Sequence, residues 1–151
     1  MKTRARSGKD GSDGRRLAAQ RMKRILIHFR GQMDELLRPE GVTTAQLVML
    51  KAIRNEPEAS GANLARACYV TAQSAQALLK SLEVGGWIVR SKDQMNERIL
   101  IARLTPIGEE LLETAEKLVR TIEKKLWRGI PEGDLQSLNR TLEKCLENLE
   151  S

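Results

Sequence analysis

The 151-residue sequence is poor in the residues from which catalytic and metal sites are most often built. It contains a single histidine, His28, and two distant cysteines, Cys68 and Cys145, so it matches none of the usual zinc spacings. It also offers no Ser/His/Asp set, no phosphate-binding loop and no convincing pair of catalytic acids. We therefore expect neither an enzyme nor a protein that carries a metal or another cofactor.

Long hydrophobic runs and aromatic residues are scarce as well. No apolar stretch approaches the roughly 18 residues that suggest a membrane-spanning helix, and the basic N-terminus lacks the apolar core of a signal peptide. Phe, Tyr and Trp make up 3% of the residues, so aliphatic side chains on packed helices must supply most of the core. We expect a cytoplasmic, mainly α-helical protein, and the chain is too short for two domains of usual size.

What the chain has in excess is positive charge, and this charge is unevenly placed. The overall formal net charge is +6. Residues 1–30 carry +8 and residues 61–105 carry +3, whereas residues 31–60 carry −2 and residues 106–151 carry −3. This division is typical of a protein that presents one surface to a polyanion and another to a partner subunit, although a solvated charged face gives the same composition.

Residues 1–14 form a basic tail with almost no apolar side chains, and we expect this tail to be disordered. It serves either as a solubilising segment or as an arm that touches DNA phosphates, and the first role is the commoner one for such tails. A single domain is expected to follow over residues 15–151.

Apolar residues at steps of three and four predict helices on both sides of a central segment. The first helix should span residues 15–38, and Thr43 or Thr44 is suited to cap a second one. Two further helices are predicted at residues 106–128 and 132–150, and the last repeats leucines as a heptad seam suited to a neighbouring helix. The buried face of the second helix should carry Leu47, Leu50 and Ile53.

The central segment, residues 61–105, has the element order of a winged helix-turn-helix. Its first short helix has Leu64, Ala65 and Cys68 on the apolar side, and Thr71 is suited to cap the next helix by accepting a backbone N–H. The core face of that next helix should carry Ala75, Leu78, Leu79 and Leu82.

The opposite face of this second helix is polar and has no acidic residue before Glu83. Glutamine can pair bidentately with adenine, serine reaches a base or a phosphate, and lysine favours guanine or phosphate. The lack of acids is what a neighbouring phosphate backbone requires, so the helix is predicted to be a DNA recognition helix. The residues of this face are Gln73, Ser74, Gln76, Ala77 and Lys80.

A wing is predicted after the recognition helix. The glycine pair at 85–86 should end the helix, because glycine accepts the left-handed conformation without steric cost. Apolar runs at residues 87–89 and 99–104 predict two strands, and the loop between them contains Lys92 and Arg98, which could project toward DNA. An ordinary surface hairpin would have the same pattern.

The chain resembles the MarR (multiple antibiotic resistance regulator) family of winged helix-turn-helix transcription regulators in three successive stretches: ANLARACYVTAQSAQALLKSLEVGGWIVR, then NER, then RLTPIGEELL. The resemblance extends over about residues 15–150. It implies a winged helix at residues 44–105, flanked by dimerisation helices at 15–38, 106–128 and 132–150, and a homodimer built from these flanking helices.

The wing departs from the family in one position. Members of the family usually have an aspartate two residues before the wing arginine, where it helps to hold that arginine. Here the position is Asn96, two residues before Arg98. Asparagine accepts a hydrogen bond but cannot form the charge-assisted pair, so Arg98 is expected to be held more loosely unless Asp93 or Glu97 takes over the role.

The resulting hypothesis is a dimeric, sequence-specific DNA-binding regulator, most simply a repressor. Two recognition helices related by a two-fold axis would enter successive major grooves about 34 Å apart, which makes the operator a near-palindrome. Arg98 would enter the flanking minor groove, and Lys80 and Arg90 would contact phosphates or base edges. The predicted DNA-binding residues are Thr71, Gln73, Ser74, Gln76, Lys80, Arg90 and Arg98.

The resemblance also implies a small effector, because members of the family are commonly released from DNA by small, often aromatic or phenolic, ligands. The effector acts by a population shift toward a state whose spacing is incompatible with DNA. Each candidate residue has a purely structural alternative, a surface or packing histidine in one case and core packing for the methionines. The candidate ligand-binding residues are His28, Met33, Met49 and Trp87.

Two other functions remain open at this stage. A redox-responsive regulator would need a reactive thiol, yet Cys68 and Cys145 both fall on apolar faces where a thiolate is disfavoured. A winged-helix interaction module would bind DNA weakly and without regard to sequence.

Overall fold

A computed structural model describes residues 10–151 of the chain, and its secondary structure follows the predicted order. The fold is mainly α-helical with one two-stranded antiparallel sheet, which confirms the predicted fold class. Among the described helices, none combines the length and the apolarity that a membrane crossing requires. The elements are α1 (Asp10–Leu37), a 3₁₀ turn (Arg38–Glu40), α2 (Thr44–Asn55), α3 (Gly61–Ala67), α4 (Ala72–Val84), β1 (Ile88–Lys92), β2 (Leu100–Leu104), α5 (Pro106–Leu126) and α6 (Glu132–Glu150).

Helix α1 begins at Asp10, five residues before the predicted start at residue 15. Residues 10–14, which the sequence places in a disordered tail, are therefore helical. The prediction relied on apolar periodicity, whereas an acidic residue such as Asp13 near a helix N-terminus interacts favourably with the helix dipole and supports a further turn. The rest of the predicted tail, residues 1–9, lies outside the described residues.

The chain divides into two compact units, one that ends at Val119 and one that runs from Arg120 to Ser151. The first unit contains the helix-turn-helix, the sheet and most of α5. In the second unit, α6 buries none of its residues. Leucines on its predicted seam are exposed, among them Leu138 at 38% and Leu149 at 85%.

Helix α2 is capped by Thr43, one of the two residues that the sequence offers for this role. The Thr43 hydroxyl accepts a hydrogen bond from the Gln46 backbone N–H at 3.1 Å, and the Gln46 side chain accepts one from the Thr43 N–H at 2.9 Å. This capping box satisfies two backbone donors at the start of α2. The three predicted core residues of α2 are buried: Leu47, Leu50 and Ile53.

Helix α2 is tied to both α1 and α5. The buried Thr44 hydroxyl donates a hydrogen bond to the Asp34 carboxylate of α1. The Arg54 guanidinium forms two hydrogen bonds with the Glu116 carboxylate of α5, at 3.1 and 2.5 Å, and these bonds raise the pKa of Arg54 above its ordinary value. These contacts fix the position of α2 relative to α1 and α5.

Hydrogen bonds and close packing join four residues at the base of the sheet. These residues, here called the clasp, are Gly86, Trp87, Thr105 and Gly108. The Thr105 backbone N–H donates to the Trp87 carbonyl at 3.0 Å, and the Thr105 hydroxyl donates to the Gly86 carbonyl at 2.7 Å. The same hydroxyl accepts from the Gly108 N–H at 3.1 Å and so caps α5. A Cβ on Gly108 would lie 2.0 Å from the Trp87 carbonyl oxygen, so only glycine fits there.

The glycine pair at 85–86 ends α4 as predicted, but only one of the two needs to be glycine for its backbone. Gly86 has φ +76, in the left-handed region, whereas Gly85 keeps helical angles with φ −71. Strand β1 then begins at Ile88 and pairs with β2 from Ile88 opposite Leu104 to Lys92 opposite Leu100.

Candidate nucleic-acid interface

The recognition helix, α4, has one buried face and one exposed face. Three of the four predicted core residues, Ala75, Leu79 and Leu82, are buried, and Leu78 is half-buried. Because side chains at steps of three and four share a helix face, this burial directs the predicted reading residues outward. The exposed side chains include Gln73, Ser74, Gln76 and Lys80.

The start of the recognition helix uses one predicted DNA contact as a cap. The Thr71 hydroxyl accepts from the Ser74 backbone N–H at 3.1 Å and donates to the Ser74 hydroxyl at 3.0 Å. The Ser74 hydroxyl keeps its own proton for an external acceptor. Thr71 therefore orients Ser74, and its own donor is already used.

Arg90 on β1 is held by the recognition helix itself. Its Nε donates to a Glu83 carboxylate oxygen at 3.2 Å, and one of its Nη atoms donates to the Gln76 side-chain oxygen at 3.3 Å. The Arg90 side chain is only 17% exposed. In this arrangement Glu83 balances the charge of Arg90, and the hydrogen bond from Arg90 orients the Gln76 side chain.

Gln76 also lies close to the start of α3. A Cβ added to Gly61 would lie 2.6 Å from the Gln76 side-chain nitrogen, so the absence of a side chain at residue 61 makes room for that amide. An open cleft of about 260 Å³ lies here between the recognition helix and the sheet, and Gln76, Arg90 and Arg98 are among its lining residues. The structure thus brings three of the predicted DNA-binding residues to one cleft.

The wing tip, residues 93–99, holds Arg98 through its backbone. The Asn96 side chain accepts a hydrogen bond from the Arg98 backbone N–H at 3.1 Å. Over residues 10–151 the Arg98 guanidinium has no ion pair or hydrogen bond, and Asp93 instead accepts from the Met95 N–H at 3.1 Å. Neither Asp93 nor Glu97 replaces the missing family aspartate as a charge partner.

The four candidate ligand-binding residues do not form one group in the described contacts. His28 is exposed on α1, whereas Met33 and Met49 are buried core residues. Trp87 is half-buried, with its ring carbons 3.2 to 3.3 Å from where a Gly85 Cβ would lie. Core packing accounts for both methionines.

A separate pocket of about 120 Å³ lies between α1, the start of α2 and the recognition helix. It combines one guanidinium with mostly apolar walls, and it was not foreseen from the sequence because its lining residues are far apart along the chain. The lining residues are Arg30, Thr44, Ala45, Val48, Cys68, Val70 and Leu78.

Both cysteines are free thiols, and Cys68 lies at the end of α3, within the helix-turn-helix. Burial raises the pKa of the Cys68 thiol, and the negative charge of Glu56 raises it further. The Cys68 sulfur lies 3.9 Å from the Met49 sulfur. A raised pKa lowers the thiolate fraction on which oxidation depends. In the described part of the chain, no cluster of three or more His, Cys, Asp or Glu residues could hold a metal ion.

Comparisons with known proteins agree with the winged-helix fold. A model of the MarR family matches residues 40–99. The HTH-type transcriptional repressor Rv2887 of Mycobacterium tuberculosis is 31% identical over 121 residues, covering 80% of this chain and 87% of that protein. CouR from Rhodococcus jostii RHA1, solved with bound p-coumaroyl-CoA, has a TM-score of 0.76 at 19% identity, covering 93% of this chain and 95% of CouR.

A further solved structure has the same fold. It belongs to a study of how 6-hydroxynicotinic acid regulates DNA binding by BpsR of Bordetella bronchiseptica. Its TM-score is 0.70 at 19% identity, and the match covers 95% of this chain and 97% of BpsR.

Proposed function

This chain belongs to the MarR family of DNA-binding transcriptional regulators, and on that premise we propose that it is a cytoplasmic, homodimeric repressor of a near-palindromic operator. Its relatives are transcriptional regulators and not enzymes, in agreement with the expectation from the sequence. The observation that carries the proposal is the exposed polar face of α4, where Gln73 and Lys80 have no protein partner within residues 10–151.

The residues of the interface divide into direct contacts and supports. Gln73 and Ser74 would read base edges, Lys80 would contact a phosphate or guanine, and Arg98 would enter the minor groove. Arg90 acts through Gln76, because their hydrogen bond directs the Gln76 amide while Glu83 balances the arginine charge. Thr71 supports the interface as a helix cap.

The uncovered apolar surface of the outer helices supports a homodimer. On α1, Ile25 is 47% exposed and Leu26 is 68% exposed. On α6, Leu146 is 50% exposed, and the helix has no buried residue in the single chain. Burial of such surface contributes roughly 25 cal/mol per Å², which favours association with a second copy. A two-fold dimer would place its recognition helices in successive major grooves about 34 Å apart.

Selection of bound sequences from a random DNA pool tests this function directly. We expect an enriched motif with two-fold symmetry and half-sites one helical turn apart. On that motif, Gln73→Ala should relax specificity at one base position, and Lys80→Ala should weaken binding to all sequences and lower the salt dependence. Lys124→Ala, which removes an exposed lysine outside the winged helix, is the charge-matched control. Failure to enrich any motif would favour the winged-helix interaction module instead.

We further propose that a small aromatic acid releases the repressor by binding in the pocket of about 120 Å³. Arg30 offers a partner for a carboxylate, and Val48 and Leu78 offer apolar walls. A ligand there touches α1 and α2 on one side and the recognition helix on the other. A ligand that binds more tightly when the helix spacing is incompatible with DNA would shift the population toward that spacing and so release the operator.

Titration of the protein–operator complex with benzoate and with phenol tests this step. Benzoate should displace the operator from the wild-type protein, and Arg30→Ala should abolish that effect while leaving operator affinity unchanged. Lys23→Ala on the same helix is the control. Equal responses of the wild type and Arg30→Ala would contradict a role for this pocket.

A further inference from the structure

Met95 is the most exposed large hydrophobic residue of the described chain, at 93%. A single exposed apolar side chain is ordinary on a protein surface and carries no argument by its exposure alone. Met95, however, stands on the wing tip, three residues before the unpaired Arg98. Met95 therefore lies on the same loop as Arg98, the cation that the proposed function places in the minor groove.

Four hydrogen bonds fix the wing tip. The Asp93 N–H donates to the Ile99 carbonyl at 2.8 Å, and the Ile99 N–H donates to the Asn96 carbonyl at 3.0 Å. The Asp93 side chain accepts from the Met95 N–H and the Asn96 side chain accepts from the Arg98 N–H, each at 3.1 Å. The loop is thus ordered before it meets a ligand, which lowers the entropy lost on binding.

The wing tip, residues 93–99, carries no excess of positive charge. Lys92 at the end of β1 and Arg98 are balanced by Asp93 and Glu97. A tip without excess positive charge gains little from general attraction to phosphates, so contact with DNA there depends on a local fit. The long, unbranched and polarisable thioether of methionine is well suited to an irregular apolar gap.

We propose that Met95 is an apolar wedge that inserts between two base pairs in the minor groove, beside Arg98, and partly unstacks that step. The inference rests on the proposed function, because it requires the wing to lie on the minor groove. Apolar side chains inserted in this way kink DNA toward the major groove. Since pyrimidine–purine steps unstack most easily, Met95 would select such a step in each half-site without a hydrogen bond to a base.

The experiment uses an operator from the random-pool selection, with 2-aminopurine placed in turn at each step of the flanking minor groove. Wild-type protein should raise the fluorescence at one step in each half-site, and donor and acceptor dyes on the DNA ends should report a bend. Met95→Gln, which keeps the length but not the apolarity, should lose both signals and about tenfold in affinity. Met95→Leu should retain them.

The salt dependence of binding distinguishes the contribution of the Met95 wedge from that of the Arg98 charge. Arg98→Ala should lower the slope of log affinity against log salt by about one, whereas Met95→Gln should leave the slope unchanged. If Met95→Gln matches the wild type in fluorescence, bend and affinity while Arg98→Ala binds weakly, the wedge is overturned and the proposed function stands. If wild-type protein binds no selected sequence, both the function and the wedge are overturned.

Discussion

The recognition helix and the wing tip are both candidates to touch DNA, but the structure holds them by different means. The orientation of α4 is set by buried side chains, with Ala75 and Leu82 fully buried and Leu79 2% exposed. The wing tip is held by hydrogen bonds within its own loop, such as that between Asn96 and the Arg98 N–H. A surface fixed by the core cannot be reoriented without loss of the fold, whereas a self-contained loop can be altered while the fold is kept.

The strongest test of this comparison removes one leucine from the recognition helix and one from the strand that directly follows the wing tip. Leu79→Ala should lower the free energy of unfolding by about 2–5 kcal/mol, because it leaves a cavity beneath the recognition helix. Leu100→Ala in the wing, where the leucine is 49% exposed, should lower it by less than about 1 kcal/mol. Urea denaturation measures both. Similar losses in the two variants would mean that the packed core holds Leu100 beside the wing tip as firmly as it holds the recognition helix.

The second test acts on the base of the wing. Gly108→Ala forces a Cβ against the Trp87 carbonyl oxygen and should destabilise the protein by about 3 kcal/mol. Gly133→Ala on α6 is the matched control, because a Cβ there meets nothing within 4 Å and alanine favours a helix by about 0.5–1 kcal/mol. Thermal unfolding compares the two. A tolerated Gly108→Ala would show that the clasp can open at little cost.

The smallest expected change in stability comes from the wing tip. Thr71→Ala removes the cap of the recognition helix and should lower the free energy of unfolding by about 1 kcal/mol. Asn96→Ala should change it by less than about 0.5 kcal/mol. Asn96→Ala should nevertheless weaken operator binding severalfold, because the loop must then be ordered on DNA.

Asn96→Asp is the rescue variant for this last prediction, since an aspartate side chain can accept the same Arg98 N–H. It should restore the affinity that Asn96→Ala loses. Mobility-shift titration of the three proteins checks the order. Equal affinity of Asn96→Ala and the wild type would show that the loop hydrogen bond does not order Arg98.

The fold was largely predictable because its signals are local. The caps at Thr43 and Thr71 and the apolar face of α4 depend on residues three or four apart, and all are found as predicted, apart from the half-buried Leu78. The start of α1 at Asp10 was missed because residues 10–14 contain no apolar side chain whose spacing could indicate a helix.

The candidate site was less predictable, because its contacts join different elements. The spacing of Arg90 and Glu83 does not reveal that they pair, since the helix end and the turn between them set the distance. The room that Gly61 gives to Gln76 likewise depends on how α3 meets α4. The four candidate effector-binding residues do not form one group. Each was chosen singly, and a single residue such as His28 carries no spacing pattern.

The clasp formed by Gly86, Trp87, Thr105 and Gly108 fixes the two ends of the wing independently of the wing tip. Both ends of the hairpin return to one point, where Thr105 bonds to Gly86 and Trp87 on one side and to Gly108 on the other. With the clasp and the two strands kept, including buried Ile88 and Ile101 and the Arg90 that contacts Gln76, the wing tip at residues 93–99 can be replaced by the tip of a relative. Grafting at the tip would change minor-groove preference while leaving the recognition helix, with its Arg90 contacts, and its major-groove preference in place.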